Sequence, residues 1–301
     1  MTVPSYLKRG DTIAICCPAG YMAAEKVTNC ITTLKLQGYN VIVGENIGSN
    51  SENYFSGTDK ERINELQRFL DDKNIDAILC ARGGYGISRI IDRLCFKKFV
   101  KHPKWLIGFS DVTVLHTYLF SNFKLVSLHA SMAAAFTGGE ENDNVKTMLA
   151  ALKGKKALYD VDANILNKTG TAKGKLIGGN LTLFTNSIGT SSDIKTNNCI
   201  LFLEDLDEQL YHIDRMFVQL KRSGKLKHLA GLLIGGFNDL KDSERPFGKN
   251  IYEIVLDQVA EYDYPVCFDF PVSHAEHNLA LKHGMKHQLI VKEDGVSLIE
   301  F

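Results

Sequence analysis

Residues 104–120 read KWLIGFSDVTVLHTYLF, and two hydrophobic periods meet inside them. The run from Trp105 to Phe109 is continuously apolar around Gly108, the pattern of a strand buried on both faces. An amphipathic segment starts directly after Ser110-Asp111. A strand feeding straight into a helix is the repeating unit of a parallel α/β sheet. The junction itself has two readings. Serine is among the best N-cap residues, and Asp111 in the first turn suits the positive end of a helix dipole, so the pattern favours a cap. The alternative is a nucleophile elbow, where the hydroxyl projects from a sharp strand–turn–helix and the next N–H faces an oxyanion. The leading glycine of that pattern is present at Gly108, and the trailing one is missing.

The same alternation extends toward the N-terminus. TIAICC reads as a buried strand, followed by Val27, Cys30, Ile31 and Leu34 at helical spacing, with Gly38 where a C-cap glycine belongs. NVIVG is a second strand. A helix starts after Thr58, with Glu61 completing a capping box and Ile63, Leu66 and Leu70 on its inner face. DAILCA is a third strand, SRIIDRL a short helical stretch, and NDNVKTMLAALKG a closing helix. This predicts an N-terminal Rossmann-like parallel-sheet domain over residues 1–155. Residues 156–169 lose the helical period and read as a linker. Residues 170–301 form a smaller C-terminal α/β domain, with strands CILFLEDL and LAGLLIGGF, a helix bearing Leu210, Ile213, Phe217 and Leu220, and a terminal hairpin turning at Glu293-Asp294-Gly295.

A chain of 301 residues carries enough length for about two domains. Its 35 basic and 35 acidic residues balance, so no net field steers it to nucleic acid or an anionic membrane. The apolar run near the N-terminus is too short for a signal peptide, and no segment approaches a membrane span. Most of the seven cysteines lie in apolar strand-like runs, as small hydrophobes do. A cytoplasmic protein with reduced thiols is expected.

In open α/β sheets function collects at the carboxyl ends of strands. Four such ends carry unusual chemistry here. ARGGYG (81–86) can turn backbone N–H groups toward an anion or oxyanion, or be a plain tight turn. It fits neither a dinucleotide fingerprint nor a Walker motif, so no cofactor is expected. Ser110 ends the next strand. Glu204-Asp205 could orient a histidine, hold a metal or be solvated, and a solvated strand end is the ordinary outcome. FPVSHAEHNLALKHGMKH holds His274, His277, His283 and His287, yet its spacing is not that of a metal site, and no metal is expected. A single histidine base needs only a hydroxyl on one ring nitrogen and a carboxylate on the other. His116, on a helix, and His129, on a strand, read as residues that pack or that support the site from behind its contacting groups.

At these same residues the chain resembles the LD-carboxypeptidase family, serine peptidases of murein recycling, and their relatives that confer self-immunity to microcin C. The matching segments are ARGGYG, GFSDVTVLH, IGGNLTLF, LFLEDLDEQLYHIDRMFVQLKRSG, LIGGF and FPVSHAEHN, in the family's order along nearly the whole chain. The resemblance implies a triad of Ser110 as nucleophile, His274 as general acid/base and Glu204 orienting it, with backbone N–H groups of Gly84 and Asp111 as oxyanion donors. It implies a site between the domains, a homodimer, and a murein tetrapeptide or its muropeptide as substrate. Microcin-type peptidyl-nucleotide hydrolysis and a non-catalytic module holding an anionic peptide are the alternatives. Two positions depart from the family pattern: Ser273 stands where glycine is usual before the histidine, and Lys282 where proline is usual. Arg82 is a candidate clamp for a substrate carboxylate or a partner in a structural salt bridge.

Overall fold

In the computed structural model, which describes residues 1–301, the chain divides into Met1–Lys155 with Leu279–Lys282, and Lys156–Asn278 with His283–Phe301. The first unit runs β1 (Thr12–Cys16), α1 (Thr28–Leu36), β2 (Asn40–Val43), α2 (Asp59–Asp71), β3 (Ala77–Cys80), α3 (Lys97–Lys101), β4 (Trp105–Gly108), α4 (Thr113–Phe123), β5 (Ser127–His129) and α5 (Asp143–Leu152). Its strands lie in the order β2-β1-β3-β4-β5, and a late strand, Leu281–His283, takes the edge beside β5. The pairings among β1 to β5 are all parallel, with Cys16 opposite Cys80 and Ile107 opposite Leu128. Chain order reverses at β1, so the carboxyl ends of β1 and β3 flank the crevice where such sheets take ligands.

The core strands bury their apolar runs completely, from Ile13 to Cys17 and Ala77 to Ala81. β2 differs. Its Ile42 and Val43 are 39% and 40% exposed, because an edge strand lacks a neighbour on one side. α2 begins with the expected capping box, Glu61 N donating to Thr58 Oγ1 at 3.3 Å and Thr58 N donating to Glu61 Oε2 at 2.7 Å. Its inner face is rotated from the expected one: Ile63 is only half-buried, while Arg62 and Glu65 are buried with Leu66, Phe69 and Leu70. The cause is polar. Arg62 Nη1 donates to Pro18 O and Gly86 O, and Glu65 Oε2 accepts from Asn46 N, satisfying loop backbone that would otherwise be orphaned. SRIIDRL forms two short 3₁₀ turns, Ile87–Arg89 and Ile91–Arg93, instead of one helix.

The second unit runs β6 (Leu158–Val161), β7 (Gly170–Asn180), α6 (Leu181–Asn186), β8 (Cys199–Leu206), α7 (Leu210–Arg222), β9 (Gly231–Asn238), α8 (Ile251–Val259) and β10 (Val266–Cys267); β11 is the Leu281–His283 strand already placed, and β12 (Lys286–Val291) and β13 (Val296–Glu300) end the chain. The second sheet has the order β10-β9-β8-β7-β12-β13-β6. β7 to β10 are parallel and the remaining pairings antiparallel, so the architecture is mixed α/β. The terminal hairpin forms as expected, closed by Lys292 N donating to Gly295 O at 2.9 Å. Residues 156–169 correct the linker reading, since they hold β6, an edge strand paired with β13. Its alternating exposure is that of a two-residue period with polar side chains, which a search for helical spacing passes over. No helix is long and apolar enough to cross a membrane.

Candidate active site

In the first unit, Ser110 leaves β4 with φ 61°, left-handed backbone that a non-glycine residue adopts only at a cost of about 1–3 kcal/mol. Phe109 before it is extended, and a 3₁₀ turn, Ser110–Val112, leads into α4. No side chain caps either the turn or α4, so the cap reading fails and the strand–turn–helix of an elbow remains. The end of β4 is clamped from two elements. Gly108 O accepts from Ala130 N at 3.2 Å and from His116 Nε2 at 2.9 Å. Burial pushes the His116 pKa down to about 4, against the opposing pull of the Gly108 bond, and keeps the ring neutral. A carbonyl only accepts, so Nε2 carries the proton and Nδ1 accepts from Ser127 Oγ at 2.8 Å.

The glycine loop after β3 lies directly on this turn. A Cβ on Gly83 would fall 2.9 Å from Ser110 Cβ and 3.4 Å from Asp111 N, so only glycine permits the approach. Gly84 has φ 94°, and a Cβ there would meet Tyr54 Oη at 2.7 Å. Gly83 O accepts from Gly20 N at 3.1 Å, joining the loops after β1 and β3. Asp111 is fully buried. Its Oδ2 accepts from Ile87 N at 2.9 Å, while Oδ1 has no partner. Burial pushes its pKa up to about 7, opposed by the Ile87 bond and the charge of Arg62.

In the second unit, Glu204 and Asp205 end β8, and both are buried, where a solvated strand end was the ordinary expectation. His274 Nδ1 donates to Glu204 Oε2 at 2.6 Å, which leaves Nε2 as the ring's accepting end. Burial disfavours the imidazolium, but the Glu204 hydrogen bond and the charges of Glu204 and Asp205 outweigh it, and the His274 pKa is raised. Asp205 accepts from Asn180 Nδ2 and from Thr182 N and Oγ1 at 2.8–2.9 Å. Burial, then the charge of Glu204, pushes the Asp205 pKa up to about 6 against those bonds.

The His274 loop is seated on β9. Gly236 N donates to Val272 O at 3.0 Å, and a Cβ on Gly235 would come within 2.2 Å of that same oxygen. The LIGGF glycines are therefore a requirement of the loop's close approach. Of the other histidines, His277 offers its carbonyl to Ser273, and His287 Nδ1 donates to Met285 O at 3.1 Å.

Residues 13–130 match the LD-carboxypeptidase N-terminal domain, and residues 173–289 match the LD-carboxypeptidase C-terminal domain. The chain belongs to the LD-carboxypeptidase family. It is thereby a serine carboxypeptidase. Among relatives of this LD-carboxypeptidase, a probable murein peptide carboxypeptidase of Bacillus subtilis is 33% identical over 94% of this chain and 90% of its own length. The murein tetrapeptide carboxypeptidase of Pseudomonas aeruginosa is 27% identical over 90% and 91%. The crystal structure of muramoyltetrapeptide carboxypeptidase from Oxalobacter formigenes superposes with a TM-score of 0.85 at 27% identity, covering 96% of this chain and 98% of that one. The microcin C7 self-immunity protein MccF shares the fold, with a TM-score of 0.87 at 22% identity over 100% and 99%.

Three positions of this LD-carboxypeptidase bear on the site beyond the residues named for it. His116, read as packing or supporting, holds Gly108 O, two residues before Ser110. Gly83, which was not named beside Gly84, is the glycine packed on Ser110. Ser273, one of the two departures from the family pattern, bridges the loop around His274: its hydroxyl accepts from Ala275 N at 3.0 Å and donates to His277 O at 2.9 Å. Lys282, the other departure, is buried with Nζ donating to Lys155 O at 3.0 Å. The GGY and GG pairs carried a readable signal, whereas a serine in a loop carries none beyond turn preference.

Proposed function

We propose that the protein hydrolyses the L,D-peptide bond that releases terminal D-alanine from murein tetrapeptides, as a cytoplasmic homodimeric enzyme of cell-wall recycling. Ser110 is the nucleophile, His274 the general acid/base and Glu204 the carboxylate that orients it. The N–H groups of Gly84 and Asp111 receive the oxyanion. The observation that carries this reading is Ser110 itself, a left-handed non-glycine residue at a strand end with glycine backbone packed on it. The buried Glu204–His274 pair supports it from the second unit, and the names of the Pseudomonas and Oxalobacter relatives support the substrate.

His274 Nε2 takes the Ser110 proton as Oγ bonds to the scissile carbonyl carbon, and the displaced π pair settles on the carbonyl oxygen. Collapse breaks the C–N bond, and the departing D-alanine nitrogen takes the proton back from His274. Water, deprotonated by His274 Nε2, then attacks the ester carbon, and collapse breaks the C–Oγ bond as His274 returns that proton to Ser110. Glu204 stabilises the imidazolium in both halves. Each oxyanion donor contributes about 100- to 1,000-fold in rate.

The test is D-alanine release from purified tetrapeptide by wild type and Ser110→Ala, with a peptidyl–adenylate analogue assayed beside it. Wild type should release D-alanine and label with a fluorophosphonate; Ser110→Ala should lose at least about 10,000-fold in turnover and all labelling. Equal labelling of the alanine variant would remove Ser110 from the mechanism. Preferential cleavage of the adenylate analogue would replace the substrate and keep the triad.

A further inference from the structure

We infer that Arg82 binds the free α-carboxylate of the substrate's terminal residue. The inference rests on the reading of Ser110 as the attacking group and deepens it by assigning the group that makes the enzyme a carboxypeptidase. Arg82 immediately precedes Gly83, whose missing Cβ lets the loop backbone lie on Ser110 and Asp111. Its guanidinium is not adrift. Nη1 donates to Tyr21 O at 2.8 Å, and Nε lies 3.7 Å from where a Cβ of Gly20 would stand, so the fork is held against the loop after β1. That loop is in turn bonded to Gly83 O through Gly20 N.

The neighbouring arginines decide what this cation is for. Arg62 and Arg89 both pair with Asp59, Arg89 at 3.0 Å, and Arg62 is buried on loop carbonyls. Arg82 has no carboxylate within ion-pair distance, and its side chain is exposed. The salt-bridge role is therefore absent. One hydrogen bond orients the guanidinium, and the N–H groups that remain form the planar fork that matches a carboxylate with two bonds. In a C-terminal residue only the amide nitrogen and Cα separate the scissile carbonyl carbon from the carboxylate carbon. A cation in the very loop that packs on the nucleophile is thus in the neighbourhood such a substrate requires.

The test compares L-Ala-γ-D-Glu-L-Lys-D-Ala as the free acid with its C-terminal carboxamide, using wild type, Arg82→Gln and Arg82→Lys. The lysine peptide lacks the side-chain carboxylate of a diaminopimelate peptide, and the free α-carboxylate of its γ-linked D-Glu is common to acid and amide, so a difference between the two belongs to the terminus. Wild type should prefer the acid by about 10- to 100-fold in kcat/KM, the range of a hydrogen bond to a charged group. Arg82→Gln should raise KM for the acid and abolish that preference, with a loss on the acid at least about 10-fold larger than any loss on the amide; Arg82→Lys should restore part of it. Equal losses on acid and amide, or an acid preference that survives in Arg82→Gln, would overturn the assignment. Calorimetric binding of both peptides to Ser110→Ala, with and without Arg82→Gln, reads the same preference without turnover. If wild type releases no D-alanine while the binding preference for the acid still vanishes with Arg82→Gln, the hydrolase reading falls and the carboxylate site stands.

Discussion

At the scale of single residues, chemistry rests on features that residue type does not encode. Serine after a strand has the composition of a cap, and only its φ of 61° distinguishes the projecting hydroxyl from a capping one. The imidazole is similar. His274 is one of four histidines within a short segment, and what separates it is the buried carboxylate 2.6 Å from Nδ1. That contact fixes a pH response. In the proposed mechanism the neutral ring is the base, and its pKa is raised, so activity should fall as pH drops through a value above the ordinary imidazole value of about 6.5. Glu204→Gln removes the charge that raises it. The acid limb of kcat/KM should then move to lower pH, while kcat falls by about 10,000-fold through loss of the oriented tautomer. A limb that stays in place in Glu204→Gln would mean that another group titrates.

At the scale of elements, the same strand ends recur as the organising positions. β3 delivers the glycine loop, β4 delivers Ser110, and α2 reaches the loops after β1 and β3 through Arg62. The contact between the first two is steric and tight, which makes Gly83→Ala informative. Its new Cβ would lie 2.9 Å from Ser110 Cβ and 3.0 Å from Oγ, so the loop or the turn must shift. We expect a stability loss of about 1–3 kcal/mol in thermal or urea unfolding, with turnover reduced at least 100-fold because a displacement of about 1 Å at a nucleophile has that effect. Unchanged kinetics would show that Gly83 is not a support for Ser110. Most of these elements were legible because buried parallel strands and amphipathic helices write their periods into sequence. β6 was not, since LYDV is a short half-polar edge strand whose partner, β13, lies more than a hundred residues onward. The rotation of α2 was hidden for a related reason: Arg62 and Glu65 read as surface until the loops they serve are in place. The strand-end residues were legible as types, and the hydrogen bonds of Ser273 and His116 were not, because a loop's register has no period to read.

At the scale of the whole molecule, 35 basic residues face 35 acidic ones, so the response of stability to pH is not a matter of net charge. It belongs to the few ionisable groups that folding buries. His116 is held neutral, its pKa down at about 4 from an ordinary 6.5, so it favours the fold increasingly as pH rises through that window. Asp111 and Asp205 act in the opposite sense, with values near 7 and 6 instead of 3.8. For Asp111 the folded state retains a proton that the unfolded chain surrenders near 3.8. Its contribution is therefore complete below that value and is lost as pH rises through about 7. Asparagine at this position keeps a carbonyl for Ile87 N and cannot titrate. Comparing the melting temperatures of wild type and Asp111→Asn from pH 5 to 7.5 cancels every other group, because Asp205 and His116 are common to both proteins. The difference should move in favour of wild type as pH falls and in favour of asparagine as pH rises, even if the variant is the less stable protein throughout. Parallel pH profiles for the two proteins would show that the buried carboxyl beside Ser110 titrates as it does in the unfolded chain, and that its isolation from solvent does not set the proton it carries.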